Sequence, residues 1–220
     1  MREVHSWIRE LQSSGPVVSD RRSKDPLRFM DNALGMEVVQ ILPGDCYVSS
    51  RDELLSTVLG SCISVCLYDP VARLGGMNHY LLPEGDKRIA GTADAARYGN
   101  FAMNELIATL VELGARKSGL EAKVFGGGAM FTSEQDVGQR NIKFADEYLK
   151  NEHIEVVGRD VGLPFSRKIR FSPVTGKVMV KRLPSLHQNS AQSSGKQAPD
   201  SGLDNGPDSD GGDDLLRKCG

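Results

Sequence analysis

The chain has no uninterrupted apolar run near the roughly 20 residues that a helix needs to cross a bilayer, so membrane insertion is not expected. Only four of its 220 residues are cysteine (Cys46, Cys62, Cys66 and Cys219), too few for a disulfide scaffold at this length. No two of them form a CxxC pair, which removes zinc ribbons and thioredoxin-like redox sites. An excess of one charge is also missing. Lys and Arg number 27 against 29 Asp and Glu, a net charge of -2, so no global field draws the protein to nucleic acid or an acidic surface. The first residues, Met1-Arg2-Glu3-Val4-His5-Ser6-Trp7, carry an acid and no long apolar segment, so a secretory signal is not expected. A cytoplasmic protein with reduced thiols is. Gly126-Gly127-Gly128 lacks both the GxGxxG spacing and the Gly-Lys-Ser/Thr of a phosphate loop. A tight turn, or a close backbone approach beside an active site, is the better expectation. No internal repeat is found.

What is present suffices for one core. The apolar fraction is 39%, diluted mostly at the two ends. Residues 1–34 are polar and punctuated by Ser13-Ser14-Gly15-Pro16 and Asp20-Arg21-Arg22, and read as an N-terminal extension. From residue 185 to 220 the chain turns Ser-, Gly-, Gln- and Asp-rich. Such a segment cannot bury enough apolar surface to offset its ordering entropy, so a disordered acidic tail is expected. Between them, residues 35–184 should fold. Residues 37–42, 63–68, 75–82, 122–125 and 154–157 have strand composition, and 52–57 is polar around Leu54 and Leu55. Pro173-Val174-Thr175-Gly176 sits between two short β-rich runs as a hairpin turn. Tyr98, Ala102, Leu106 and Leu110 recur at helical spacing up to Gly114, and a second helix is expected from Val137 to Asn151. Strands interleaved with two helices predict a layered α/β or α+β domain.

Two segments point to chemistry. Leu59-Gly60-Ser61-Cys62 puts a thiol at the head of an apolar run, and Gly75-Gly76-Met77-Asn78-His79 puts an imidazole one strand later. A cysteine in such a run is commonly inert core filler. Here Gly60 and Ser61 allow a tight turn and offer amide N–H groups of the kind an oxyanion hole requires. An antiparallel pair would bring His79 beside Cys62 as its base, and the hydroxyls of Ser56 and Thr57 stand just upstream to orient the ring. Cys66 reads as core filler, since a Cys62/Cys66/His79 metal site has no evident fourth ligand. No metal is expected. Cys46 and Cys219 are given no role, nor are His5, His153 and His187.

These residues, with Val65-Cys66-Leu67-Tyr68-Asp69, Tyr80-Leu81-Leu82-Pro83, Val124-Phe125-Gly126-Gly127, Gly138-Gln139-Arg140-Asn141 and Arg167-Lys168-Ile169-Arg170-Phe171, resemble the CheD chemoreceptor glutamine deamidases, in order from about residue 36 to 182. The resemblance implies an α/β fold of layered mixed β-sheets flanked by helices, as in cysteine-dependent deamidases. It implies Cys62 as nucleophile, His79 as base, backbone N–H groups near Gly60 and Ser61 for the oxyanion, and no cofactor. The family's third residue is a threonine six positions before the cysteine. Ser56 occupies that position, and Thr57 is the nearby threonine. The family's acid and Gly-Gly before the last hairpin read here as Asp160-Val161-Gly162-Leu163, without the second glycine. The implied activity is hydrolysis of glutamine side chains to glutamate on the cytoplasmic domain of methyl-accepting chemoreceptors. The implied partners are those receptors and a CheC-type phosphatase, and the alternative role is as that phosphatase's binding partner and regulator.

Overall fold

The computed structural model describes residues 17–19, 26–85, 88, 90–92, 94–129, 136–183 and 217–219. Among these residues twelve strands form two six-stranded sheets. In chain order they are β1 (Val17–Ser19), β2 (Arg28–Asp31), β3 (Met36–Gln40), β4 (Cys46–Ser49), β5 (Leu54–Leu59), β6 (Ile63–Asp69), β7 (Leu74–Asn78), β8 (Glu121–Gly126), β9 (Glu155–Val161), β10 (Ser166–Phe171), β11 (Val178–Leu183) and β12 (Arg217–Cys219). The first sheet runs β1-β4-β7-β6-β8-β9 and the second β12-β11-β10-β5-β3-β2. Both are mixed: β8–β9 and β3–β5 are parallel and the other pairs antiparallel.

Among the described residues two α-helices, α1 (Gly99–Glu112) and α2 (Val137–Asn151), accompany the sheets. The expected pattern places both within two residues. Asp136 caps α2, its carboxylate accepting from the Gly138 N–H at 2.8 Å. Ala102, Leu106 and Leu110 of α1 and Ala145 and Leu149 of α2 pack on Ile63, Val65 and Leu67 of β6. The opposite face of β6 carries Cys66, which packs with Leu55, Leu59, Ile169 and Phe171 of the second sheet. The layers are therefore helices, first sheet, second sheet. Strand β6 is covered on both faces, which is why it reads as a continuous apolar run.

Five strands departed from the sequence pattern. Strand β5, read only as a polar stretch around two leucines, lies between β3 and β10. Its hydroxyls are buried because backbone carbonyls accept them: Ser56 donates to Ile169 at 3.1 Å and Thr57 to Ile41 at 2.8 Å. Strand β4 follows the turn at 43–45 and pairs with β7. Strand β2 falls inside the expected extension, so the sheet begins at Arg28 rather than near residue 35. Arg28 explains this: its guanidinium bonds Glu37, the buried Glu53 and the Tyr47 hydroxyl at 2.9, 2.8 and 2.6 Å. In the expected tail, Arg217–Cys219 pairs with β11, and in the arm Val17–Ser19 pairs with β4. Residues 1–16, 20–25, 184–216 and 220 lie outside the described residues.

Candidate active site

The chain crosses from the second sheet to the first between β5 and β6, and Cys62 sits at that crossing. Successive carbonyls there are pinned from outside. The Gly60 carbonyl accepts from the Gly128 N–H at 2.7 Å and the Cys62 carbonyl from the Gly127 N–H at 2.8 Å. The Ser61 carbonyl accepts from Asn141 Nδ2 at 3.0 Å. The glycine run thus makes the expected close approach. A Cβ on Gly126, whose φ is +111, would lie 2.1 Å from the Cys62 carbonyl oxygen. Helix α2 needs the same proximity, since a Cβ on Gly138 would meet the Gly127 carbonyl oxygen at 2.6 Å.

His79 follows β7. Its N–H donates to the Asp45 carbonyl at 3.0 Å and its carbonyl accepts from Gly44 at 2.7 Å, which anchors it on the β4 side. On the β6 side Ile63 and Tyr80 exchange both backbone bonds, at 3.1 and 3.0 Å. In that register Ser64 lies opposite His79, and Cys62 is its diagonal neighbour. Side chains alternate along a strand, so Cys62 and His79 share the face turned to the second sheet. The antiparallel pairing expected of these two segments is what the structure contains.

The imidazole is held from the second sheet. Thr57 Oγ1 lies 2.8 Å from His79 Nδ1. The hydroxyl's single proton goes to the Ile41 carbonyl, so Thr57 can only accept from the ring. Nδ1 therefore carries the hydrogen, and Nε2 keeps the lone pair. Nε2 is buried and makes no hydrogen bond to a described residue. Ser56, one residue earlier, points to the other face of β5 and donates to Ile169. Of the two hydroxyls considered from the sequence, Thr57 reaches the ring and Ser56 does not, because a one-residue step in a strand reverses the side chain.

Burial sets the protonation of both groups. His79 is 2% exposed; desolvation lowers its pKa to about 4, against the opposing pull of the Ile41 carbonyl. Cys62 is half-buried, and desolvation pushes its thiol up, with a smaller opposing effect from its own N–H. At neutral pH the free protein thus holds a thiol and a neutral imidazole. Cys66 and Cys46 are buried, and Cys66 packs in the core between the sheets. Among the described residues no three His, Cys, Asp or Glu side chains are grouped so as to hold a metal ion.

Sequence comparison places the chain in a family. The profile described as CheD chemotactic sensory transduction matches residues 81–182. A "probable chemoreceptor glutamine deamidase CheD" of Methylobacillus flagellatus is 43% identical over 165 residues, covering 73% of this chain and 81% of that protein. Proteins with the same printed name from Hydrogenovibrio crunogenus and Bordetella parapertussis are 45% identical (74% of this chain, 86% of that protein) and 46% identical (73% and 77%). The chain belongs to the CheD family. The CheD match contains two buried polar residues that the sequence reading assigned no role. Asn141 ties the Ser61 carbonyl to that of Leu81, at 3.0 and 2.8 Å. Arg167, fully buried, donates to the carbonyls of Gly126 and Gly162 and pairs with Asp160 at 3.3 Å. Their available signal was polarity on an otherwise core-facing stripe. The glycine that the resemblance led one to expect also has a structural counterpart: Leu163 stands at φ +64, in the left-handed region that favours glycine.

No helix among the described residues is long and apolar enough to cross a membrane.

Proposed function

We propose that this chain is a chemoreceptor glutamine deamidase, with Cys62 as nucleophile, His79 as general base and Thr57 as the residue that orients His79. It acts in the cytoplasm on glutamines of the receptors' cytoplasmic domain. Membership of the CheD family supports the substrate class. One observation carries the chemistry. Thr57 fixes the hydrogen on Nδ1, which leaves the basic Nε2 unengaged on the face that Cys62 shares.

The reaction follows from those roles. Nε2 takes the Cys62 proton as sulfur attacks the carboxamide carbon of glutamine. The carbonyl π electrons move to oxygen, which the backbone N–H groups of Ser61 and Cys62 receive; neither donates to another described residue. Such a donor is worth about 3 kcal/mol in comparable sites. The imidazolium then protonates the nitrogen, and ammonia leaves as the C–N bond breaks. Water, losing a proton to Nε2, attacks the thioester. Collapse breaks the C–S bond, and the thiolate regains its proton from the imidazolium. Glutamate is the product. The neutral resting pair places the first proton transfer in the substrate complex, where water is displaced.

Incubating the protein with the cytoplasmic fragment of a chemoreceptor from the same cell tests this. Mass spectrometry should find glutamine converted to glutamate by wild type and not by Cys62→Ala. Conversion that persists in the variant, or is missing with wild type, would refute the reading.

A further inference from the structure

We infer that Asn141 is a positioning residue that aims the oxyanion donors of the Cys62 turn; this rests on the reaction proposed above. In a trans peptide the carbonyl of one residue and the N–H of the next point in opposite directions. Fixing three successive carbonyls therefore fixes the next three N–H groups. The Gly60 carbonyl, held by Gly128, sets the Ser61 N–H. The Ser61 carbonyl, held by Asn141 Nδ2, sets the Cys62 N–H. The Cys62 carbonyl, held by Gly127, sets the Ile63 N–H, which the Tyr80 carbonyl uses. Neither of the first two N–H groups donates to another described residue, and the Cys62 N–H acts only on its own sulfur, so both stand aimed at the site. Of the three anchors, only Asn141 is a side chain.

Asn141 also joins the two halves of the site. Its second amide hydrogen goes to the Leu81 carbonyl at 2.8 Å, two residues past His79, and its own carbonyl accepts from the Tyr80 hydroxyl at 3.2 Å. The side chain is fully buried and its Oδ1 has no partner among the described residues. An apolar residue would avoid that unmet acceptor, so packing alone does not account for an amide here.

Iodoacetamide separates positioning of the oxyanion donors from general support of the site. It alkylates the thiolate at a saturated carbon, displacing iodide, and passes through no oxyanion. Asn141→Ala should lower kcat for receptor deamidation about 100-fold, with KM, the alkylation rate and its pH profile unchanged. Asn141→Ser, which keeps one donor, should fall between. An unchanged kcat overturns the inference, and so does a parallel fall in alkylation. Should both variants fail to fold, wild type supplies the test through its amide resonances. The Asn141 side-chain protons should exchange slowly with solvent. The Cys62 N–H should shift downfield when a peptide bearing the aldehyde analogue of glutamine forms a hemithioacetal. Rapid exchange or an unmoved Cys62 resonance overturns it. Wild type that forms the adduct yet leaves receptor glutamines intact would refute the proposed substrate without touching the role of Asn141.

Discussion

Thr57 Oγ1 accepts from His79 Nδ1 at 2.8 Å while donating its own proton to the Ile41 carbonyl. The relationship joins the two sheets at the point where chemistry is proposed. Threonine on β5 of one sheet sets the tautomer of a histidine on the other, so the state of the base depends on how the layers pack.

Replacing Thr57 by Val removes the acceptor and leaves the Ile41 carbonyl to hold Nδ1. Receptor deamidation should then fall about 100-fold, at the low end of what a misdirected general base costs. Thr57→Ser should retain most of the rate, because it keeps the hydroxyl. Ser56→Ala should leave the rate unchanged, and lower stability by about 1 kcal/mol through the lost bond to Ile169. A larger loss in Ser56→Ala than in Thr57→Val would reverse the assignment.

The resting protonation can be read directly from alkylation. Burial holds the Cys62 thiol above its usual range and the His79 imidazolium below its own. The iodoacetamide rate should therefore rise monotonically through and beyond about pH 8.5, the ordinary thiol range. A plateau between about pH 4 and 7 would reveal a preformed thiolate–imidazolium pair, and the proposed order of proton transfers would be wrong.

Much of the fold was legible because periodicity survives where one face is buried. Helix α2 kept its apolar spacing, and the β10–β11 hairpin advertised its Pro-Val-Thr-Gly turn. Strand β2 lacked such a signal: Phe29 and Met30 remain exposed and Arg28 holds it through charge. Strand β5 hid because its buried Ser56 and Thr57 look like surface residues until a carbonyl partner is known. In the candidate site, the proximity of Cys62, His79 and the glycine run was legible from residue type and spacing. The choice between Ser56 and Thr57 was not, since it rests on strand parity in a sheet whose register no composition sets. Asn141 and Arg167 were hidden for a related reason. Their hydrogen bonds go to carbonyls, which leave no mark in a sequence.

Leu163 offers a test at a position whose backbone conformation favours glycine. A non-glycine residue in the left-handed region costs about 1–2 kcal/mol, and the side chain, 52% exposed, recovers little of it. Leu163→Gly relieves that strain and gives back part of it as chain entropy. A net gain of about 0.5–1 kcal/mol is expected in urea unfolding. A loss of that size would mean that the leucine side chain makes a contact worth more than its strain.

His79 also ties stability to pH. Its folded pKa of about 4 lies below the unfolded value near 6.5. Above that upper value both states hold a neutral ring, and the residue contributes no pH dependence. Below it the unfolded chain binds a proton that the folded one refuses, so stability falls until about pH 4, where the folded ring also protonates. The full window is worth about 3 kcal/mol. Urea unfolding of wild type and His79→Gln at about pH 7 and about pH 4.5 isolates this contribution. The wild type should lose about 2–3 kcal/mol more than the variant between the two conditions. Equal losses would show that the ring protonates freely in the fold.

Gly126 separates two reasons for glycine. Its φ of +111 disfavours any side chain, and a Cβ would also lie 2.1 Å from the Cys62 carbonyl oxygen, a backbone atom that no rotamer change can move aside. Gly35, at φ +63 with nothing within 4 Å, has the conformation without the contact. Gly35→Ala should therefore cost about 1 kcal/mol and leave deamidation intact. Gly126→Ala should cost at least about 2 kcal/mol, because the glycine run must retreat from the turn. Retreat breaks the Gly127 and Gly128 bonds to the Cys62 and Gly60 carbonyls and frees both peptide planes. Deamidation should then fall by more than the loss of folded protein accounts for. If residual activity per folded molecule matches wild type, the turn does not need the glycine run to hold its donors.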